Sequence, residues 1–230
     1  SELPFHLSVY RMRPDLNAVV HAHPPALVAF SAVRKLPETN LVPSSSFIVG
    51  KLAMAEYALP GSQELGDKIA AYFAKGFNTV LLENHGVVTA AEDLYHAFMT
   101  FETLDFNART QLNAMAIGTP RSLTPEQLEQ CRLKQHPVMY ALKRKAPPTS
   151  EELYYRGEMC RMISRAYEQQ LFTSTQGTFS RRLSDGSFLI TPYAVDRKYL
   201  APEDMVLIKD GCCEEGKIPS RSVKLHEGIY

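Results

Sequence analysis

Two short motifs place three histidines where they could share a metal ion. The first is Val19-Val20-His21-Ala22-His23-Pro24-Pro25, and the second is Thr79-Val80-Leu81-Leu82-Glu83-Asn84-His85-Gly86-Val87-Val88. In both, an apolar run leads straight into histidine. Alternate side chains of an extended chain share a face, so His21 and His23 can point at one ion. Three neutral imidazoles that leave a fourth position open make a catalytic Zn²⁺ site rather than a structural one. A lone His-X-His is short and common, and can be no more than a strand end. A third histidine after a second apolar strand, followed by Gly86, turns the balance toward a metal. Such an ion is a Lewis acid for a substrate with adjacent hydroxyl and carbonyl oxygens. It would stabilise the enediolate formed when a C–C bond breaks or an α-proton leaves. That chemistry needs a carboxylate to move the proton. On the residues alone, Glu2 is either that group or a helix-starting acid that favours the macrodipole.

Several elements must position these groups. Residues 2–12 read as a helix with Leu3, His6, Leu7 and Tyr10 on one stripe. Residues 17–21 read as a buried strand and 24–33 as a short helix. Residues 47–49 and 56–58 read as short strands, and 63–74 as a helix ending near Gly76. Residues 79–82 and 87–89 are strands flanking the Asn84-His85-Gly86 turn. Leu94, Ala97, Phe98, Phe101, Leu104, Ala108, Leu112 and Met115 give a long helix a continuous apolar face. Thr124-Pro125-Glu126-Gln127 is a helix start, and 143–150 has the composition of a linker, with a basic run and then paired prolines. Beyond it, 151–170 reads as a helix, and 187–191 and 205–209 as strands joined by a polar turn.

The stretch from Ser1 to His6, and that from Tyr10 to His23, resemble the class II aldolase/adducin superfamily. Leu82-Glu83-Asn84-His85-Gly86 is similar to the segment that carries the third zinc ligand in that family. The resemblance implies a three-layer α/β/α sandwich with a mostly antiparallel central sheet. It implies one Zn²⁺ on His21, His23 and His85, Glu2 as the acid/base group, and Ser1 either on a substrate phosphate or as a plain N-cap. The implied activity is that of a zinc-dependent aldolase, a lyase acting on a small sugar phosphate. Sugar-phosphate epimerase and dehydratase chemistry are alternatives within the superfamily, and a non-catalytic adducin-like structural domain is the alternative of another class. The resemblance also implies a homo-oligomer, in which a neighbour's tyrosine serves as acid; Tyr57 is the candidate in the 38–60 stretch.

The order of the parts departs from the family's. Segments that precede the His-X-His there come last here, at Thr175–Ser180, Ser187–Pro192 and Glu215–Ser220. By this match Gly177 and Thr178 are substrate-binding candidates. Residues 1–146 read as the back half of one domain, carrying the metal ligands, and 147–230 as the front half of a second. A repeat supports two tandem domains over one permuted domain, because Ser222–Tyr230 lines up with Glu2–Tyr10 and shares its His and Tyr. Neither half has many strands, so the two are expected to complete one sheet, within the chain or between chains. The second copy carries Ser222 for the acid, Thr178 for an asparagine and Ala194 for a glycine. It is expected to be structural or regulatory, or to take a substrate without phosphate.

Composition fits a globular enzyme: 230 residues, 45% hydrophobic, 22% charged and a net charge of zero. Such a charge provides no field for nucleic acid or an anionic membrane. No apolar run reaches the ~18 residues of a bilayer span, and the first residues lack signal-peptide character. Cys131, Cys160, Cys212 and Cys213 have no metal-binding spacing and read as plain thiols in a reducing, cytoplasmic setting.

Overall fold

The computed structural model describes residues 2–144 and 146–230. The chain divides into two compact units, one ending at Leu133 and the other starting at Lys134.

In the first unit the order is α1 (Leu3–Met12), β1 (Ala18–Ala22), α2 (Pro25–Ala32), α3 (Pro43–Val49), β2 (Leu52–Ala55) and α4 (Gln63–Ala74). Then follow β3 (Thr79–Leu82), β4 (Gly86–Ala91), α5 (Leu94–Ile117) and α6 (Pro125–Leu133). The sheet order is β1-β4-β3-β2, antiparallel except for the β2–β3 pair. Strand alternation sorts the side chains to two faces. Val80, Leu82, Val88 and Ala90 pack with Phe5 and Val9 of α1 and with Leu65, Ile69 and Phe73 of α4. Leu81 and Val87 point the other way, toward Leu27 and Phe30 of α2 and Leu104 and Ala108 of α5. This gives helix, sheet and helix layers, as the resemblance implies.

Three sequence expectations need correction here. Helix α1 buries Phe5, Ser8 and Val9, while Leu3 and Leu7 are exposed. The cause is α4: a Cβ at Gly66 would lie 3.0 Å from Ser8 Oγ, so the helices approach along the Phe5–Ser8 line and not along the Leu3–Leu7 stripe. Residues 47–49 are helical, because Pro43 starts a helix that runs to Gly50; the strand lies later, at Leu52–Ala55, and 56–58 is loop. Helix α5 buries a mixed face, Ala97, Thr100, Thr103, Leu104, Asn107, Ala108 and Gln111, and leaves Leu94 and Met115 exposed. Its polar residues serve backbone: Asn107 Nδ2 donates to the Glu38 carbonyl at 2.7 Å, and Gln111 Oε1 accepts from Glu38 N at 2.8 Å.

The second unit runs β5 (Tyr140–Leu142), α7 (Ser150–Glu168), β6 (Ser180–Arg182), β7 (Phe188–Ile190), β8 (Val206–Lys209), β9 (Cys212–Glu214) and α8 (Val223–Ile229). Its sheet order is β5-β9-β8-β7-β6, with only β5–β9 parallel. Leu189 and Leu207 face Met159 and Ile163 of α7, and Ile190, Val206 and Ile208 face Val223 of α8. Each unit thus closes its own sheet and core, and the one described strand of the 1–146 stretch that pairs with the 147–230 stretch is β5, through β9. The 143–150 stretch is not a free linker: Arg144 pairs with Glu152 at 2.6 Å and Glu214 at 3.4 Å. Its Lys145 lies outside the described residues. Between β7 and β8 the chain passes through two short 3₁₀ turns at Arg197–Tyr199 and Pro202–Asp204, not one polar turn. All four cysteines are free thiols. Among the described residues no helix is long and apolar enough to cross a membrane.

Candidate metal centre

The end of β1 and the hairpin between β3 and β4 lie side by side in one sheet, because Ala22 is in register with Val87. His21 is in β1 and His23 sits just past its end. His85 occupies the hairpin turn, which Asn84 closes with a left-handed φ of 53°; asparagine tolerates that conformation better than most residues. Helix α1 brings Glu2 to the same place from above the sheet. The Phe5 ring meets His21 edge-on at 5.1 Å and stacks on His6 at 4.6 Å.

Glu2, His21, His23 and His85 offer ligand atoms that all lie within 4.8 Å of one another. The ring centroids of His21 and His23 are 4.7 Å apart, and those of His23 and His85 are 4.9 Å apart and nearly parallel. Glu2 Oε2 lies 2.6 Å from His21 Nε2, and Oε1 lies 3.1 Å from His85 Nε2. The shorter approach lacks hydrogen-bond geometry, so His21 Nε2 and Glu2 Oε2 are shielded from water without a hydrogen-bond partner. Buried donor atoms that are not spent on one another are what an ion site needs. His21 Nδ1 is 2.9 Å from the Val87 carbonyl. A carbonyl only accepts, so Nδ1 carries the proton and Nε2 keeps its lone pair.

Burial lowers the pKa of both His21 and His85 below the ordinary 6.5, against the opposing pull of the Glu2 carboxylate. Burial lowers His6 in the same way. His21 and His85 are therefore neutral near neutral pH, the form that binds metal. Below about 6.5 the unfolded chain takes up protons that the folded sites resist, so this stability is complete above that pH and fades as pH falls through the folded values. The melting temperature of chelator-treated protein is expected to drop between neutral pH and about 5. His21→Gln should make that slope shallower; an unchanged slope would mean that burial of His21 is not its source.

The other sequence candidates lie elsewhere. Gly177 and Thr178 belong to the second unit. There Gly177 has a left-handed φ of 75°, and Thr178 Oγ1 is 2.7 Å from Ser220 Oγ. Ser1 lies outside the described residues. Tyr57 is exposed, on a loop whose backbone N–H donates to Glu83 Oε2 at 3.2 Å. Ser222 is the N-cap residue of α8 and makes no side-chain cap bond. A second acidic and histidine group, Glu92, Asp93 and His96, also gathers within 4.8 Å. It is accounted for as the exposed start of α5, where Asp93 accepts from His96 N at 2.8 Å. Sequence reading missed the Val87 carbonyl that fixes the His21 tautomer, since backbone partners carry no residue-type signal.

Comparison with known proteins gives concordant results. The family model of the class II aldolase and adducin N-terminal domain matches residues 1–112 and 157–230. An L-fuculose phosphate aldolase of Methanococcus maripaludis is 35% identical over 105 residues, 46% of this chain and 56% of its own. A 3-oxo-tetronate 4-phosphate decarboxylase of Pectobacterium atrosepticum is 34% identical over 112 residues, 47% of this chain and 51% of its own. The crystal structure of Escherichia coli YgbL, described as a candidate aldolase, epimerase or decarboxylase, superposes with a TM-score of 0.50 at 28% identity. It covers 56% of this chain and 64% of its own. The chain spans about half the length of the curated relatives it matches.

Proposed function

The chain belongs to the class II aldolase and adducin family, and from that premise we propose that it is a metal-dependent lyase that cleaves a small sugar phosphate in the aldolase manner. The observation that carries this reading is the meeting of Glu2, His21, His23 and His85 within 4.8 Å at one end of the first sheet. The three imidazoles would hold the ion, and Zn²⁺ suits such a donor set. A divalent ion there supplies Lewis-acid polarisation of the substrate's carbonyl and hydroxyl oxygens. Glu2, lying against His21 and His85, would protonate the carbon left electron-rich by C–C cleavage and remove that proton in the synthetic direction. The Val87 carbonyl keeps His21 in the ligating tautomer, and the Phe5 ring excludes water from its flank.

In the same reading, residues 1–146 are the back half of one domain and 147–230 the front half of a second. The support is that the family match falls in two stretches and that α8 lies within Ser222–Tyr230, the segment that lines up with Glu2–Tyr10 and so with α1. A second chemistry is favoured by the decarboxylase among the relatives. Loss of carbon dioxide beside a carbonyl leaves the same kind of electron-rich carbon for Glu2 to protonate.

Products separate the two. Zinc-loaded protein given a panel of ketose 1-phosphates is expected to release an aldehyde; release of carbon dioxide from a 3-oxo acid phosphate instead would favour the second chemistry. Elemental analysis should find one ion per chain in the parent, and His23→Ala should lose ion and turnover together. A parent protein that takes up no zinc would sink the metal reading.

A further inference from the structure

Gly86 follows the third histidine, and the obvious role for a glycine in a hairpin is backbone freedom. The structure gives that role to another residue. Asn84 holds the left-handed φ of the turn, whereas Gly86 is the first residue of β4, in register with Leu82 and without a positive φ. What Gly86 provides is space. A Cβ there would lie 2.5 Å from the Ala22 carbonyl oxygen, 2.7 Å from His23 Cδ2 and 3.3 Å from the Ala22 carbonyl carbon. Two of these three atoms are backbone and cannot rotate away. Glycine inside a strand often marks such a close approach.

We infer that Gly86 is a positioning residue that sets the reach of His23 toward His21 and His85. This rests on the metal reading above. Real Cβ atoms essentially never come within 3.0 Å of such a neighbour. A methyl at this position must therefore push the chain end that carries His23 outward by about 0.5 Å, the difference between 2.5 and 3.0 Å. Metal–ligand bonds tolerate about ±0.2 Å, so the displacement is larger than the site can absorb. His21 keeps its own tether to the Val87 carbonyl, and His85 is on the near side of the hairpin. The loss falls on His23.

The test compares Gly86→Ala with the parent, with His23→Ala, with both changes together, and with Gly118→Ala. Gly118 has no atom within 4 Å of a Cβ and an extended backbone, φ 171°, that any residue adopts, so its variant should match the parent. Zn²⁺ affinity is read by competition with a chromophoric chelator, and the visible spectrum of the Co²⁺-loaded protein reports ligand geometry. Gly86→Ala is expected to weaken Zn²⁺ about 10–100-fold, the range for losing a ligand's supporting contact, and to alter the cobalt spectrum. In the His23→Ala background the same change should add little, because both act through one side chain. Parent-like affinity in Gly86→Ala, or a full additional loss in the double variant, would overturn the inference. So would a Gly86→Ala chain that no longer folds without metal, since Gly86 would then serve the β1–β4 pairing and not the ligand. A parent that binds no zinc would instead count against the metal reading itself.

Discussion

Glu2→Gln is expected to lower turnover on a confirmed substrate by about 10²–10⁴-fold, the usual contribution of a positioned acid/base group. The substitution keeps the side chain's size and one oxygen, but removes the charge and the ability to take up a proton. Bound metal should be unchanged, since His21, His23 and His85 remain, and the KM should move far less than the kcat. The prediction rests on Glu2 Oε2 lying 2.6 Å from His21 Nε2 and Oε1 lying 3.1 Å from His85 Nε2. The measurement is steady-state kinetics on protein whose metal content has been determined. Full activity would remove Glu2 from the proton path. Loss of metal together with activity would make it a ligand instead.

The histidines of this site were legible because local rules fix them. An alternating strand puts His21 and His23 on one face, and the apolar run 79–82 followed by Asn84 makes a hairpin with His85 at its tip. The approach of Glu2 is a different matter. It depends on how α1 lies on α4, which Gly66 decides by admitting Ser8 closely, and no pattern in residues 2–12 reveals that. The same limit explains the misread faces. In α5, apolar spacing suggested a continuous apolar stripe, but the helix turns Thr100, Thr103, Asn107 and Gln111 inward, where Asn107 and Gln111 satisfy the backbone of Glu38. Polar residues that serve a buried loop look from sequence like a solvent face. Helix α4, by contrast, matched its expected bounds at Gln63–Ala74, because Ser62 caps it by accepting from Leu65 N and Gly76 follows its end. Strands β6 and β9 have three residues each, too short for a period-2 signal. The second sheet therefore could not be counted, and the expectation of one shared sheet holds only for β5, which carries the end of the 1–146 stretch into the sheet of the 147–230 stretch.

Arg156→Met is expected to destabilise the second unit by about 3 kcal/mol, the lower end of the range for breaking a buried ion pair by removing one partner. Arg156 is nearly fully buried on α7, and each of its three side-chain nitrogens donates a hydrogen bond. Its Nε donates to Glu152 Oε1 at 2.8 Å, its Nη2 to Glu214 Oε2 at 2.7 Å, and its Nη1 to the carbonyl oxygens of Met205 and Pro202. Burial would raise the Glu152 and Glu214 carboxyls. The hydrogen bonds from Arg144 and Arg156 outweigh that for Glu152, as those from Arg156 and Leu207 N do for Glu214, and both are held below the ordinary 4.5. Methionine fills the volume, but strands two acids in a site built to bury them charged. Arg144 stays on Glu152 and Lys217 on Glu214, which is why the lower end of the range applies. The pH dependence separates charge from packing. Carboxyls held below their unfolded value contribute stability that is complete above about 4.5 and is lost as pH falls through the folded value. The gap between parent and variant in urea unfolding, followed by circular dichroism, should therefore be widest near neutral pH and narrow in acid. A gap of the same size at both would assign the loss to packing of the Arg156 stem, and no gap at neutral pH would mean that the network adds no net stability.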